Sequence, residues 1–98
     1  QPEPALPVFI AVLGEKASGE ALRAARSLRE AGVRVEIGDE KASLKSQMRK
    51  ADRLRAAYAL ILGDDEIRDG TASWKNLKNG ESGKTGIGEV YKLLKEEL

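Results

Sequence analysis

Asp64, Asp65 and Glu66 stand in a row directly after an apolar run, Tyr58 to Leu62, that stops at Gly63. Ligands of open α/β sheets bind beyond the carboxyl ends of strands, so this cluster stands where a site would form. Paired carboxylates can hold Mg²⁺ or move protons. The chain has no histidine and no cysteine to act beside them. That excludes Cys/His zinc sites, thiol nucleophiles, CxxC redox pairs and a Ser-His-Asp triad. Two readings remain for the cluster. One is a solvated acidic turn; the other is a Glu66 that accepts hydrogen bonds from the N–H donors of exposed base edges.

The second group of interest is cationic. Net charge is only +1, from 17 basic and 16 acidic side chains. Yet residues 41–55 hold Lys41, Lys45, Arg49, Lys50, Arg53 and Arg55 against Asp52 alone. Lys45, Arg49 and Arg53 fall four apart, so a helix lines them up as one exposed stripe. A local basic patch on a near-neutral domain is the form a phosphate-contact surface takes. A solvated helix face shows the same pattern.

Gly80-Glu81-Ser82-Gly83-Lys84-Thr85 has the ending of a phosphate-binding loop. That motif needs glycine five positions before Gly83, where Lys78 stands, and a buried strand before it. Asn79-Gly80 is a hairpin signal instead, so a turn with basic residues is the better account. A small nucleotide-binding α/β enzyme using Gly83-Lys84-Thr85 is the catalytic alternative. Gly86-Ile87-Gly88 lacks the third glycine of a dinucleotide fingerprint. Trp74, the only tryptophan, shares one side of an alternating run with Ala72, while Ser73 and Lys75 take the other. This places Trp74 in the core rather than under a base.

The elements that must carry these residues follow from periodicity. Val8 to Leu13 reads as a buried strand closed by Gly14. A helix from about Ser18 to Ala31 follows, with Ala21, Leu22, Ala25 and Leu28 at helical spacing and Gly32 just past its end. Val33, Val35 and Ile37 alternate as a half-buried strand. Ser43 caps a second helix that buries Leu44, Met48 and Ala51, with Leu54 nearby. Tyr58 to Leu62 is a third strand. Thr71 to Leu77 and about Ser82 to Thr85 form a hairpin around Asn79-Gly80. Gly86 to Leu98 closes the chain as an amphipathic helix, with Val90, Leu93, Leu94 and Leu98 on one face. The β-α-β-α-β opening implies an α/β fold on a mostly parallel sheet. The chain is one domain's worth, and no apolar run is long enough to span a membrane. Pro2, Pro4 and Pro7 make residues 1–7 read as a linker remnant and 8–98 as the domain. The absence of cysteine fits a cytoplasmic setting.

Taken in order, these residues resemble a known family. The chain is similar to the C-terminal anticodon-binding domain of class II aminoacyl-tRNA synthetases, and within it to the histidyl type. The resemblance covers about Val8 to Leu98. Its markers are Leu28-Arg29, Ala31-Gly32, the run Leu44-Lys45-Ser46-Gln47-Met48-Arg49-Lys50-Ala51-Asp52, then Leu62-Gly63-Asp64-Asp65-Glu66, Gly70, Lys75-Asn76-Leu77 and Gly80-Glu81. It implies a three-layer, mixed five-stranded sheet flanked by three helices. It implies a domain that binds tRNA, and no DNA, with no catalytic residue or cofactor of its own. Catalysis, with ATP and Mg²⁺, would belong to a core N-terminal to this domain in a homodimeric parent. Carried over by position, the anticodon contacts are Ser43, Lys45, Glu66 and Lys75. Lys41, Arg49 and Arg53 would meet the phosphate backbone, and Gln47 matches a motif position that is either a contact or structural. The family usually has glycine where Arg55 stands. Threonyl- and prolyl-type synthetases share the fold, and an accessory protein-interaction module on the same fold is the non-RNA alternative.

Overall fold

A computed structural model describes residues 5–97. The strands are β1 (Val8–Leu13), β2 (Val35–Ile37), β3 (Tyr58–Gly63), β4 (Thr71–Asn76) and β5 (Ser82–Gly86). The helices are α1 (Glu15–Glu30), α2 (Leu44–Arg53), α3 (Asp64–Asp69) and α4 (Ile87–Glu97). The sheet runs in the order β2-β1-β3-β4-β5. β1 lies parallel to both β2 and β3, while β3–β4 and β4–β5 are antiparallel. The five strands and the expected helices are present, in an α/β arrangement. β2, β1, β3 and β5 share one direction and β4 alone runs against them, so the sheet is mixed and mostly parallel. One detail differs from expectation: α3 is a fourth, one-and-a-half-turn helix inside the acidic cluster.

β1 and β3 are apolar on both sides because helices cover both faces. On one face Val8, Ile10, Val12, Leu60, Leu62 and Ala72 pack against α1 and α4. On the other, Phe9 and Ala11 pack with Ala51 of α2 and with Leu6 and Ala56. Trp74 sits on the α1–α4 side and meets Tyr58 with ring centroids 6.5 Å apart, as its pairing with Ala72 implied. α1 starts three residues earlier than its spacing suggested, and its buried stripe is Ala17, Ala21, Ala24, Ala25 and Leu28. The alanines bring the helix close to the sheet. Leu22 falls outside that stripe and is 64% exposed. The helix ends in a Schellman motif at Gly32: Val33 N–H donates to Leu28 O (2.9 Å) and Gly32 N–H to Arg29 O (3.0 Å). Tyr91 of α4 donates its hydroxyl to Glu20 of α1. Burial first, and that bond second, raise the Tyr91 hydroxyl above its ordinary pKa.

Leu6 is buried, and Leu6 N–H donates to Leu54 O (3.1 Å), so the chain is already packed before β1 begins. The proline-rich residues 1–4 and Leu98, expected on the buried face of the last helix, lie outside the described residues. Arg55 takes φ 56°, the left-handed conformation that glycine adopts without strain. Among the described residues no helix is long and apolar enough to cross a membrane.

Candidate nucleic-acid interface

α2 begins at the end of the sheet where β1, β2 and β3 finish. Ser43 is its N-cap, and the Ser43 hydroxyl accepts from Ser46 N–H at 3.1 Å. Lys41, Ser43 and Lys45 are exposed around this helix start. Arg49 and Arg53 continue the stripe along α2 and are also exposed. No described carboxylate pairs with Lys45, Arg49 or Arg53; Lys50, off the stripe, reaches Glu36 at 4.0 Å. The stripe spans eight residues, about 12 Å of helix. It therefore runs from the site end of the sheet to the opposite end. There Arg53 lines a groove with Arg29, Arg34 and Arg55, away from Glu66.

Gln47 points the other way, into the protein, with 2% of its surface exposed. β2 stops at Ile37, so Val12 of β1 has no strand beside it on that edge. The Gln47 side chain takes the strand's place. Its Oε1 accepts from Val12 N–H (2.8 Å), and its Nε2 donates to Val12 O (2.8 Å) and Ala42 O (3.0 Å). Both amide protons are spent on the backbone, which leaves none for a base. Gly38 is required by this arrangement, because a Cβ there would stand 2.3 Å from Gln47 Oε1.

Glu66 lies in the first turn of α3, next to β3. Its carboxylate occupies the space above Gly63: a Cβ at Gly63 would come 2.8 Å from Glu66 Oε2. That Cβ would point to the same face as Ala59 and Ile61, since strand residues alternate. Lys75 pairs with Ala59 in the register and so shares this face. Glu66 and Lys75 are thus brought onto one sheet face from separate elements. Their positions are four residues apart along β3, about 13 Å. Lys75 is exposed, and no described carboxylate pairs with it; Glu66 is half-buried and meets no described cation.

On β3 this face is covered, with Ala59 buried and Ile61 packed against the α2-side cluster, but over β4 and β5 it stays open. α2 packs on β1, and α3 and α4 pack on β4 from the opposite side, through Ile67, Val90 and Leu94. What results is a sheet surface with Ile61 and Ser73 in the middle, a carboxylate at one end and lysine at the other. The cationic helix α2 stands beside it. Such a surface can dock unstacked bases and neutralise the backbone that carries them. Reading the sequence missed Gly63 as a space-maker and α3 as the carrier of Glu66. The Asp-Asp-Glu run was the available signal for α3, because acidic residues favour a helix first turn. Gly83, Lys84 and Thr85 lie on β5 and not at a helix start, so they form no phosphate loop.

The class that this fold and face define is an RNA-reading α/β domain. The family model described as "Anticodon binding domain" matches residues 7–97. The chain belongs to the anticodon-binding domain family of class II aminoacyl-tRNA synthetases. It is 38% identical over 90 residues to a histidine–tRNA ligase of Thermodesulfovibrio yellowstonii, covering 92% of this chain and 21% of that protein. It is 40% identical over 88 residues to that of Acetivibrio thermocellus, covering 90% of this chain and 21% of that protein. The chain therefore spans about a fifth of the length of these curated relatives. Among solved structures, apo histidyl-tRNA synthetase of S. aureus superimposes with TM-score 0.84 at 28% identity, over 93% of this chain and 23% of that chain. The RNA-binding domain of threonyl-tRNA synthetase from Cryptosporidium parvum gives TM-score 0.80 at 17% identity, covering 93% of this chain and 23% of that one, a likeness of fold alone.

Proposed function

We propose that this domain binds the anticodon loop of a histidine-type tRNA. The observation that carries the reading is the Glu66 carboxylate held over Gly63 on an open sheet face that also presents Lys75. Glu66 accepts from the N1 and N2 donors of a guanine or from a cytosine amino group. Lys75 donates to a base carbonyl or a phosphate. Ser43 and Lys45 meet the loop from the start of α2, and Lys41, Arg49 and Arg53 neutralise backbone phosphates. The domain supplies binding and specificity. Aminoacylation, with ATP and Mg²⁺, belongs to the catalytic core of a homodimeric, cytoplasmic parent. The histidine–tRNA ligases of Thermodesulfovibrio yellowstonii and Acetivibrio thermocellus, matched over 92% and 90% of this chain, support the amino-acid assignment.

Fluorescence anisotropy with labelled anticodon stem-loops tests the reading. The expected result is preference for a GUG loop over threonine-type and unrelated loops, with affinity falling as salt rises. Glu66→Ala is expected to reduce discrimination between loops more than total binding. Equal loss across all loops would remove Glu66 from base reading. Association with a protein partner and no RNA affinity at low salt would instead make the domain an interaction module.

A further inference from the structure

The hairpin register sets out the open face as a grid. Ile61 of β3, Ser73 of β4 and Lys84 of β5 form one row across the strands. Ala59, Lys75 and Ser82 form the next. Continued one step past Ile61–Ser73, the same register sets Thr71 opposite Gly63, with Gly86 on its other side. Rows are about 7 Å apart and strands about 4.8 Å. Glu66 and Lys75 therefore mark the two outer rows, and Ser73 with Lys84 fills the row between. Lys84 is exposed and pairs with no described carboxylate. Thr71 Oγ1, at the head of the same track, is buried and has no hydrogen-bond partner among the described residues. On β4 and β5 the track is thus polar along its length, with Ala59 and Ile61 as its apolar β3 margin, and Thr71 keeps hydrogen-bonding capacity that the described fold does not use.

We propose that the Ser73–Lys84 cross-strand pair is a further contact element of this surface for single-stranded RNA. The Ser73 hydroxyl hydrogen-bonds a base edge, and Lys84 binds the phosphodiester beside that base. The inference rests on the anticodon-loop reading and extends it to residues outside the set carried over from the family. Two outer contacts about 13 Å apart exceed the reach of one base, so an extended loop laid between them must cross the middle row. A lysine and a hydroxyl there match the two groups such a strand presents, a phosphate and a base edge.

The test compares the unaltered chain with Ser73→Ala, Lys84→Gln, Lys84→Arg and Lys92→Gln, titrated with the GUG and unrelated stem-loops at several salt concentrations. Lys92 lies on α4, on the opposite side of the sheet, and is exposed. Lys84→Gln is expected to weaken all loops about equally and to lower the salt slope by about 0.7, the value for one single-strand phosphate contact. Lys84→Arg should restore the slope, and Lys92→Gln should leave it unchanged. Ser73→Ala should lower the preference for GUG by about two- to tenfold with no change in slope, as loss of one neutral hydrogen bond would. Equal effects of Lys84→Gln and Lys92→Gln overturn the phosphate contact. An unchanged preference in Ser73→Ala overturns the base contact. If both fail while Glu66→Ala still alters discrimination, this inference falls and the anticodon reading stands. No stem-loop binding by the unaltered chain overturns both.

Discussion

Gln47 and Glu66 are both polar side chains at the same end of the sheet, and the backbone around them assigns opposite duties. Gln47 is surrounded by groups that need it: the N–H and C=O of Val12 and the carbonyl of Ala42. Gln47→Ala leaves the two Val12 groups buried and unpaired, at about 1–3 kcal/mol each. We expect a stability loss on the order of 3 kcal/mol, read as a melting-point drop of roughly 12–24 °C. The loop preference of the folded molecules should be unchanged. Glu66, by contrast, sits over a residue with no side chain. Gly63 has φ −116°, which alanine adopts without strain, so Gly63→Ala challenges only the space above it. That variant should keep its stability within about 1 kcal/mol and lose anticodon discrimination as Glu66→Ala does. Stem-loop anisotropy beside thermal melts checks both halves; preserved discrimination would show that the Glu66 position over Gly63 is not the reading position.

Helix α2 joins two tasks on one element. Its inner side holds Gln47 and Ala51, and its outer side carries Lys45, Arg49 and Arg53. Ten residues with three cations on one stripe repel one another slightly, and a polyanion laid along them releases counterions. The double variant Lys45→Gln/Arg49→Gln should therefore lower the salt slope of stem-loop binding. A decrease of about 1.4 would mean contacts to the single-stranded loop, and about 1.8 contacts to the stem duplex. An unchanged slope would take α2 out of the interface. α3 is the opposite kind of element: short and acidic, with no residue fully buried. Its contribution is to turn the chain at the end of β3 so that Glu66 folds back over Gly63.

At the scale of the molecule, the binding face exists because coverage is uneven. β1 and β3 occupy the centre of the sheet with helices on both sides, whereas β4 and β5 are covered on one side alone. Stability is concentrated in the centre and recognition at the open margin. Hydrogen exchange should show this directly. Amides of β1 and β3 are expected to exchange slowest, near the rate set by global unfolding, and those of β2 and β5 faster, as edge strands. Uniform protection across the five strands would contradict this division.

Much of this was legible from the sequence because it is local. The apolar runs Val8–Leu13 and Tyr58–Leu62, the cap at Ser43, the Asn79-Gly80 turn and the inward side of Trp74 each depend on spacing within a few residues. Periodicity reports such features directly, and the resemblance in motifs supplied the family. Leu22 and Leu44 resisted that reading, since burial depends on which neighbour arrives: both lie outside the faces that α1 and α2 press on the sheet. The outer stripe of α2 was visible as charges four apart, but not that it ends by an arginine-lined groove distant from Glu66. Whether Gln47 reads a base or mends a strand depended on where β2 stops, thirty-five residues from its partner Val12 in sequence being no guide to contact in space. The row that joins Ile61, Ser73 and Lys84 depended on the register of a hairpin. The sequence by itself determined the elements and the chemistry they carry. Only the tertiary structure decided which side chains share an open face, because strand pairing and helix coverage are long-range contacts that no local pattern encodes.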